Sequence, residues 1–270
     1  MRDDYLEDIF ASLDWLALDW DSGPRSAEEF KSAFSQRLRL KRYQAVLDQV
    51  KAGGHFYACA CSREQIKRDS QAAGVATYAG TCRALNLSPE ENAWRHPVAR
   101  ESVKVRDESG RVFVLHPHRD PGDFVLRRKN GEPSYQVASL TDDEDLNINF
   151  IVRGLDLMPS TGAQLGLAHA LGWNTLPNAR FWHHALMVND ASEKLSKSDA
   201  KANPSIESLK VLRAKFPDPV PVLRFLARHM HIDPTAVFSV RDLIPRFRIE
   251  AVDDKPLRFS DFWRELGEGK

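Results

Sequence analysis

The sequence predicts an α/β fold in which a small cysteine-bearing region interrupts a nucleotide-binding domain. Three observations carry this expectation. A strand–helix–strand succession runs from Ile148 to Val188 at the spacing of a βαβ unit, whose strands pair in parallel. The polar stretch Glu193-Lys194-Leu195-Ser196-Lys197-Ser198-Asp199 follows the apolar run Ala185–Val188. It therefore stands at a strand's carboxyl end, where ligands of such sheets collect. Between the N-terminal helices and the βαβ unit, residues 55–132 change character, with all three cysteines, short β-like runs and tight turns.

Composition bounds the function. The 270 residues are 42% hydrophobic, enough to bury the core of one large domain or two smaller ones. Lys plus Arg equals Asp plus Glu at 38 each, so the net charge is zero. A non-specific polyanion binder would be basic, so no DNA partner is expected and any RNA contact must come from a local patch. No run of 18 apolar residues exists to span a membrane. The opening Met1-Arg2-Asp3-Asp4 lacks a signal-peptide apolar core. An odd number of cysteines confined to one window does not read as a secreted disulfide framework. A cytoplasmic, reduced protein is expected.

The N-terminal elements follow from spacing. Tyr5, Leu6, Ile9, Phe10, Leu13 and Leu16 predict a helix over 4–16, with Asp3 and Asp4 favouring its start. Ser22-Gly23-Pro24 breaks it. A second helix is expected from about Ser26 to Lys51, ended by Gly53-Gly54. A nucleotide-binding α/β domain normally opens on a strand whose following loop meets the ligand. Here neither His116-Pro117-His118, which lacks a glycine, nor His183-His184, read as packed, replaces that loop.

In the middle region, His55–Ala58 predicts a strand entering Cys59-Ala60-Cys61, and Ser62 with Gln65 a helix cap. Cys59, Cys61, Tyr78 and Cys82 offer three thiolates and a phenol, a donor set for tetrahedral zinc. His55 and His96 are rival fourth ligands, and three idle free thiols are the alternative. Ser88-Pro89 predicts a short helix. Strands are expected over 102–106 and 112–115, and over 124–128 and 134–140 around the hairpin signal Asn130-Gly131.

In the second half, Tyr135–Leu140 is therefore read as a strand and Thr141–Asp145 as an acidic loop. Ile148–Val152 predicts a strand ending at Arg153, and Thr161 with Gln164 the cap of a helix ending near Gly172. An arginine at a strand's carboxyl end can hold a carboxylate through two parallel bonds. An ion pair with Asp156 or Asp143 is the structural alternative. Tyr135 alone reads as a core or edge aromatic. Lys194 and Lys197, with the serines between and after them, suit the phosphates of a nucleotide; a solvated loop is the alternative. After Lys201 the pattern is helical, and Arg213, Lys215, Arg224, Arg228, Arg241, Arg246 and Arg248 offer either a phosphate-facing surface or an ordinary solvated one.

With these landmarks placed, the chain resembles class I aminoacyl-tRNA synthetases of the glutamate type, and among them the short glutamyl-queuosine tRNA(Asp) synthetases. Lys194-Leu195-Ser196-Lys197-Ser198 resembles the class I signature loop for ATP. Tyr135 and, eighteen positions on, Arg153 in Val152-Arg153-Gly154-Leu155-Asp156 resemble the pair that contacts glutamate. Cys59-x-Cys61, Tyr78 and Cys82 resemble the subfamily's zinc site. The resemblance implies a Rossmann-type catalytic domain, N-terminally incomplete, over 1–54 and 133–200, a zinc-containing insertion over 55–132 and a helical C-terminal region over 201–270. It implies ATP with Mg2+ bound by Lys194, Ser196, Lys197 and Ser198, with Lys197 catalytic. It implies glutamate held by Tyr135 and Arg153, structural Zn2+ on Cys59, Cys61, Tyr78 and Cys82, and tRNA(Asp) as acceptor. The family's opening strand and histidine-glycine loop have no counterpart in these residues, so a catalytically impaired, tRNA- or partner-binding relative is the alternative expectation.

Overall fold

The computed structural model describes residues 3–75, 77–194 and 209–267. Leu195–Ser198, with the catalytic assignment of Lys197, lies outside the described residues, as does Ile206. In chain order the helices are α1 (Asp3–Trp15), α2 (Ala27–Glu29), α3 (Leu40–Ala52), α4 (Arg63–Ala72), α5 (Tyr135–Asp145), α6 (Met158–Leu171) and α7 (Thr175–Asn178), followed by shorter C-terminal helices. The strands are β1 (Tyr57–Cys59), β2 (Ala93–Arg95), β3 (Val103–Arg106), β4 (Val112–Leu115), β5 (Val125–Arg127), β6 (Phe150–Gly154), β7 (Arg180–His184), β8 (Met187–Val188) and β9 (Leu257–Arg258). None of the described helices is long and apolar enough to cross a membrane.

The chain divides into two compact units, residues 36–183 and residues 1–35 with 184–270. In the first, β2 pairs antiparallel with both β1 and β5, β3 and β4 form a hairpin, and β6 neighbours β7 across the α6 crossover. Its core joins Val46, Leu47 and Val50 of α3 with Trp94, Leu126, Val137, Leu140, Leu167 and Phe181. In the second unit α1 packs with the C-terminal helices. Trp15 donates its indole N–H to the Phe216 carbonyl at 2.9 Å, and Arg213 holds Asp8 at 2.6 Å. The strand β9 returns to pair in parallel with β8.

Several sequence expectations need correction. Tyr135–Asp145 is one helix, not a strand and a loop. Ser134 caps it, accepting from the Val137 N–H, and the apolar residues Val137, Leu140 and Ala138 face inward at helical spacing. The acidic C-terminal turn opposes the helix dipole. It is offset by Arg39 and Arg42, which pair with Asp142 and Asp145. The predicted helix 26–51 is broken at Ser35, whose backbone is extended, and α3 begins only at Leu40. No helix forms at Ser88-Pro89; the Pro89 carbonyl instead accepts from the Trp94 indole at 2.7 Å. Thr161 and Gln164 lie inside α6, which begins at Met158 with Pro159 in its first turn. The C-terminal end is as expected: Gly172 caps it at φ +69°, a left-handed position that favours glycine. His183 is fully buried and shares a 2.9 Å hydrogen bond with Thr161, so it packs as expected.

Candidate functional site

Two constellations in the 36–183 unit carry chemistry. The first is built by β1, the N-terminus of α4 and the loop through Tyr78 to Cys82. Ser62 caps α4 by accepting from the Gln65 N–H at 3.1 Å, which fixes the chain just after Cys61. Gly122, at φ +71°, bridges to Tyr78 with no room for a side chain, since a Cβ would lie 2.7 Å from the Thr77 hydroxyl.

The result brings all four sequence-assigned residues together. The Sγ atoms of Cys59, Cys61 and Cys82 lie within 4.8 Å of one another. The Tyr78 Oη stands 3.5 Å from Cys59 Sγ and 3.8 Å from Cys61 Sγ, and accepts from the Cys82 backbone N–H at 2.8 Å. All three cysteines are free. Among the described residues no histidine joins the group; His96, a rival ligand by sequence, is buried and bonded through Nδ1 to the His55 carbonyl at 2.9 Å. Burial pushes the Cys61 thiol up to about 12. Burial also acts on Cys82, but hydrogen bonds from Tyr78, Ala60 and the other thiols outweigh it and pull that thiol down to about 7. Burial raises the Tyr78 phenol well above its ordinary range. Three sulfurs and one oxygen converging from two short segments form a donor set that fits a tetrahedral zinc ion.

The second constellation gathers at the carboxyl end of β6. The turn Leu155–Leu157 returns the chain directly into α6, so Gln164 meets the strand it has just left. Arg153 Nη1 donates to Gln164 Oε1 at 2.9 Å. Neither sequence-level ion-pair partner takes the rest of the guanidinium: Nε and Nη2 are buried without a hydrogen-bond partner, as is Gln164 Nε2. Tyr135, the first residue of α5, is half exposed. Burial lowers the Arg153 pKa, opposed by Tyr135 and Asp143, which lie close enough to act on it. Burial pushes the Asp143 carboxyl up, with Arg153 opposing. A buried cation with two unused donors is costly alone. A ligand carboxylate would satisfy both donors in fork geometry. Gln164 was legible only as a helix cap; its i+11 relation to Arg153 becomes visible only once β6 and α6 fold together.

Of the lysine loop, Glu193 and Lys194 are described. Asn189 closes a turn by donating to the Glu193 carbonyl at 2.9 Å and accepting from its N–H at 2.8 Å through the side chain. Lys194 then bridges back to Val188, at the end of β8. The basic C-terminal residues are mostly committed within their own unit: Arg213 to Asp8, Arg228 to Glu265, Arg241 to Asp19, Arg224 to the Val237 carbonyl.

The family model of class I tRNA synthetases (E and Q), catalytic domain, matches residues 1–259. The chain belongs to this family. Among curated members it is 39% identical over 196 residues to the glutamyl-Q tRNA(Asp) synthetase of Dechloromonas aromatica, covering 71% of this chain and 61% of that protein. It is 35% identical over 215 residues to the glutamate–tRNA ligase of Symbiobacterium thermophilum, covering 74% of this chain and 43% of that one. This class I synthetase chain thus spans about 61% or less of the length of these relatives. The fold matches the glutamate tRNA ligase of Elizabethkingia meningosepticum, solved in complex with its amino acid, with a TM-score of 0.68 at 18% identity. That match covers 96% of this chain and 57% of that one.

Proposed function

We propose that this synthetase activates glutamate with ATP and transfers the glutamyl group to the queuosine base of tRNA(Asp). The observation that carries this reading is the buried Arg153, with two guanidinium donors left for a substrate carboxylate beside Tyr135. The names of the relatives support the same substrate class. In activation, a glutamate carboxylate oxygen attacks the α-phosphorus of ATP and pyrophosphate leaves. In transfer, the base takes the glutamyl group and AMP leaves. Neither step needs a protein nucleophile; holding the reactants in line and stabilising phosphate charge suffice. Lys194, Ser196, Lys197 and Ser198 supply that stabilisation, with Mg2+ on the ATP, and Lys197 is the residue most directly assigned to it. Zn2+ on Cys59, Cys61, Tyr78 and Cys82 braces the insertion. The division into catalytic segments 1–54 and 133–200, insertion 55–132 and helical region 201–270 is part of the same reading, as is a cytoplasmic location.

The test is glutamate-dependent ATP–pyrophosphate exchange, followed by transfer of labelled glutamate to tRNA(Asp) with and without queuosine. Exchange that falls about 100-fold or more in Lys197→Ala, with transfer only to the queuosine form, is expected. Transfer to a tRNA terminus instead would make the chain a glutamate–tRNA ligase type. Absence of exchange and of glutamate binding, with tRNA still bound, would replace this reading by that of a non-catalytic tRNA-binding relative.

A further inference from the structure

Arg95 is a buried charge that the synthetase chemistry does not use. It ends β2, and the antiparallel register sets it opposite Tyr57, with Ala93 opposite Cys59. Arg95 and Cys59 therefore lie on one face of the β1–β2 pair. Arg95 is 8% exposed. Its guanidinium carbon lies 4.0 Å from the centroid of the Tyr78 ring, and its Nη1 donates to the Asp123 carbonyl at 2.7 Å. Its Nε is buried without a hydrogen-bond partner. Among the described residues no carboxylate pairs with it. The Asp123 carboxylate is already taken by Arg83, through Nε at 2.9 Å and through Nη2, by the Tyr57 hydroxyl at 2.6 Å and by the Val98 N–H at 3.0 Å.

A buried guanidinium without a counter-ion is costly. The cluster at the hydroxyl end of the same ring has the opposite imbalance. Zinc binds cysteine as thiolate. Three thiolates and a phenolate set four negative charges against the two positive charges of the ion, so the loaded site is doubly negative. Such an excess away from water needs positive charge close by. Of the other cations near the cluster, Arg83 is spent on Asp123. Lys129 donates to the Ala60 carbonyl at 3.0 Å but is exposed, where solvent and salt screen it.

We propose, resting on the zinc assignment above, that Arg95 is a positioning residue of the zinc site, the buried counter-charge that seats the Tyr78 ring and offsets the excess negative charge of the loaded cluster. A cation over an aromatic face is attracted to the ring, and more so when the ring bears the charge of a phenolate. Groups behind a metal's ligands orient and tune them, and losing one costs about 10–100-fold in metal affinity. A purely structural role, tying β2 to Asp123, would need only the Nη1 donor.

Zinc affinity tests the proposal, read by competition with a chromophoric chelator on the full chain at fixed pH and ionic strength. Arg95→Gln keeps an amide donor but not the charge, and should weaken zinc about tenfold or more. Arg95→Lys keeps the charge but not the planar stacking, and should lose about threefold at most. Lys129→Gln removes a charge at the exposed position and should also stay within about threefold of the parent. In a Tyr78→Phe background the ring remains but the phenolate charge is gone, so the effect of Arg95→Gln should shrink to about threefold or less. Melting temperatures of parent and Arg95→Gln should differ with zinc bound and converge after chelation. Equal losses of affinity in the glutamine and lysine variants, a loss undiminished in the Tyr78→Phe background, or a stability deficit as large after chelation would each assign Arg95 to the strand pair and overturn the proposal. The lysine variant decides alone if the glutamine variant does not fold, since a loss of about tenfold there overturns it equally. A parent chain that binds no zinc removes the metal assignment and this role with it. A parent that binds zinc while Arg95→Gln binds it as tightly overturns this role alone.

Discussion

Arg153 and Gln164 meet through a single 2.9 Å hydrogen bond, and that bond uses one of the guanidinium nitrogens while leaving two buried and unused. Gln164 therefore orients the arginine without neutralising it. A carboxylate in its place would fill the fork and compete with a ligand; a neutral amide leaves the charge available.

Gln164→Glu is expected to weaken glutamate binding more than Gln164→Met. The Met variant loses one hydrogen bond to a charged group, about 1.5–3 kcal/mol at most, and keeps the positive site. The Glu variant supplies an internal carboxylate to the same guanidinium. Calorimetry with glutamate ranks them; a Glu variant that binds as tightly as the parent shows that Arg153 is not the ligand's partner.

Asp142 joins three donors from the segment before it: Gln36 Nε2 at 2.8 Å, Arg39 Nε at 2.7 Å and the Tyr43 hydroxyl at 2.8 Å. Tyr43 is 1% exposed. Burial, then the neighbouring carboxylate, raises its phenol pKa to about 12. Asp142→Ala should destabilise the chain by about 1–3 kcal/mol, chiefly by leaving that hydroxyl unpaired. Pairing the change with Tyr43→Phe should recover part of the loss. Urea melts of the two single variants and the double variant decide it, and strict additivity would show that the two side chains are not coupled.

The same residues show what the sequence could and could not disclose. The convergence of Cys59, Cys61 and Cys82 with Tyr78 was legible because all of them fall in one short window that a strand and a single short helix fold back on itself. The βαβ unit was legible from the apolar run before Arg153 and the glycine at position 172. The helix at Tyr135–Asp145 was not, because four acidic residues in its last turn argue against a helix end. Their compensation comes from Arg39 and Arg42, about a hundred residues away, which no local pattern reveals. Gln164 was hidden in the same way: its partner is fixed by the return of α6 over β6.

Asp145 gives a pH signature. Hydrogen bonds from Arg42, and then from Arg39, outweigh burial and hold its carboxyl below the ordinary value. A depressed folded-state pKa contributes stability above the unfolded carboxylate range, near pH 4, and loses it as pH falls through the folded value. The deficit of Asp145→Asn relative to the parent should therefore be full at pH 6, about 0.2–1 kcal/mol for such a solvent-accessible pair, and shrink below about pH 4. Denaturation series at several pH values measure it. A deficit that stays constant down to pH 2 would assign the effect to packing rather than charge.

The cysteine cluster gives the last expectation. The Tyr78 Oη already accepts the Cys82 backbone N–H at 2.8 Å, a bond that favours the phenolate over the phenol. It stands within 3.8 Å of two sulfurs, so a metal among the thiolates would find its fourth donor in place. Metal analysis under non-chelating conditions should return one zinc per chain. Zinc must displace thiol protons, so its affinity should rise with pH, and chelation should lower the melting temperature because the ion braces the 59–82 segment. Cys59→Ala should lose the metal outright. Tyr78→Phe should retain it with lower affinity, since three thiolates remain but the fourth position passes to solvent. Purified protein without zinc would end the metal assignment, and unchanged affinity in Tyr78→Phe would move the fourth ligand elsewhere while leaving the three cysteines in place.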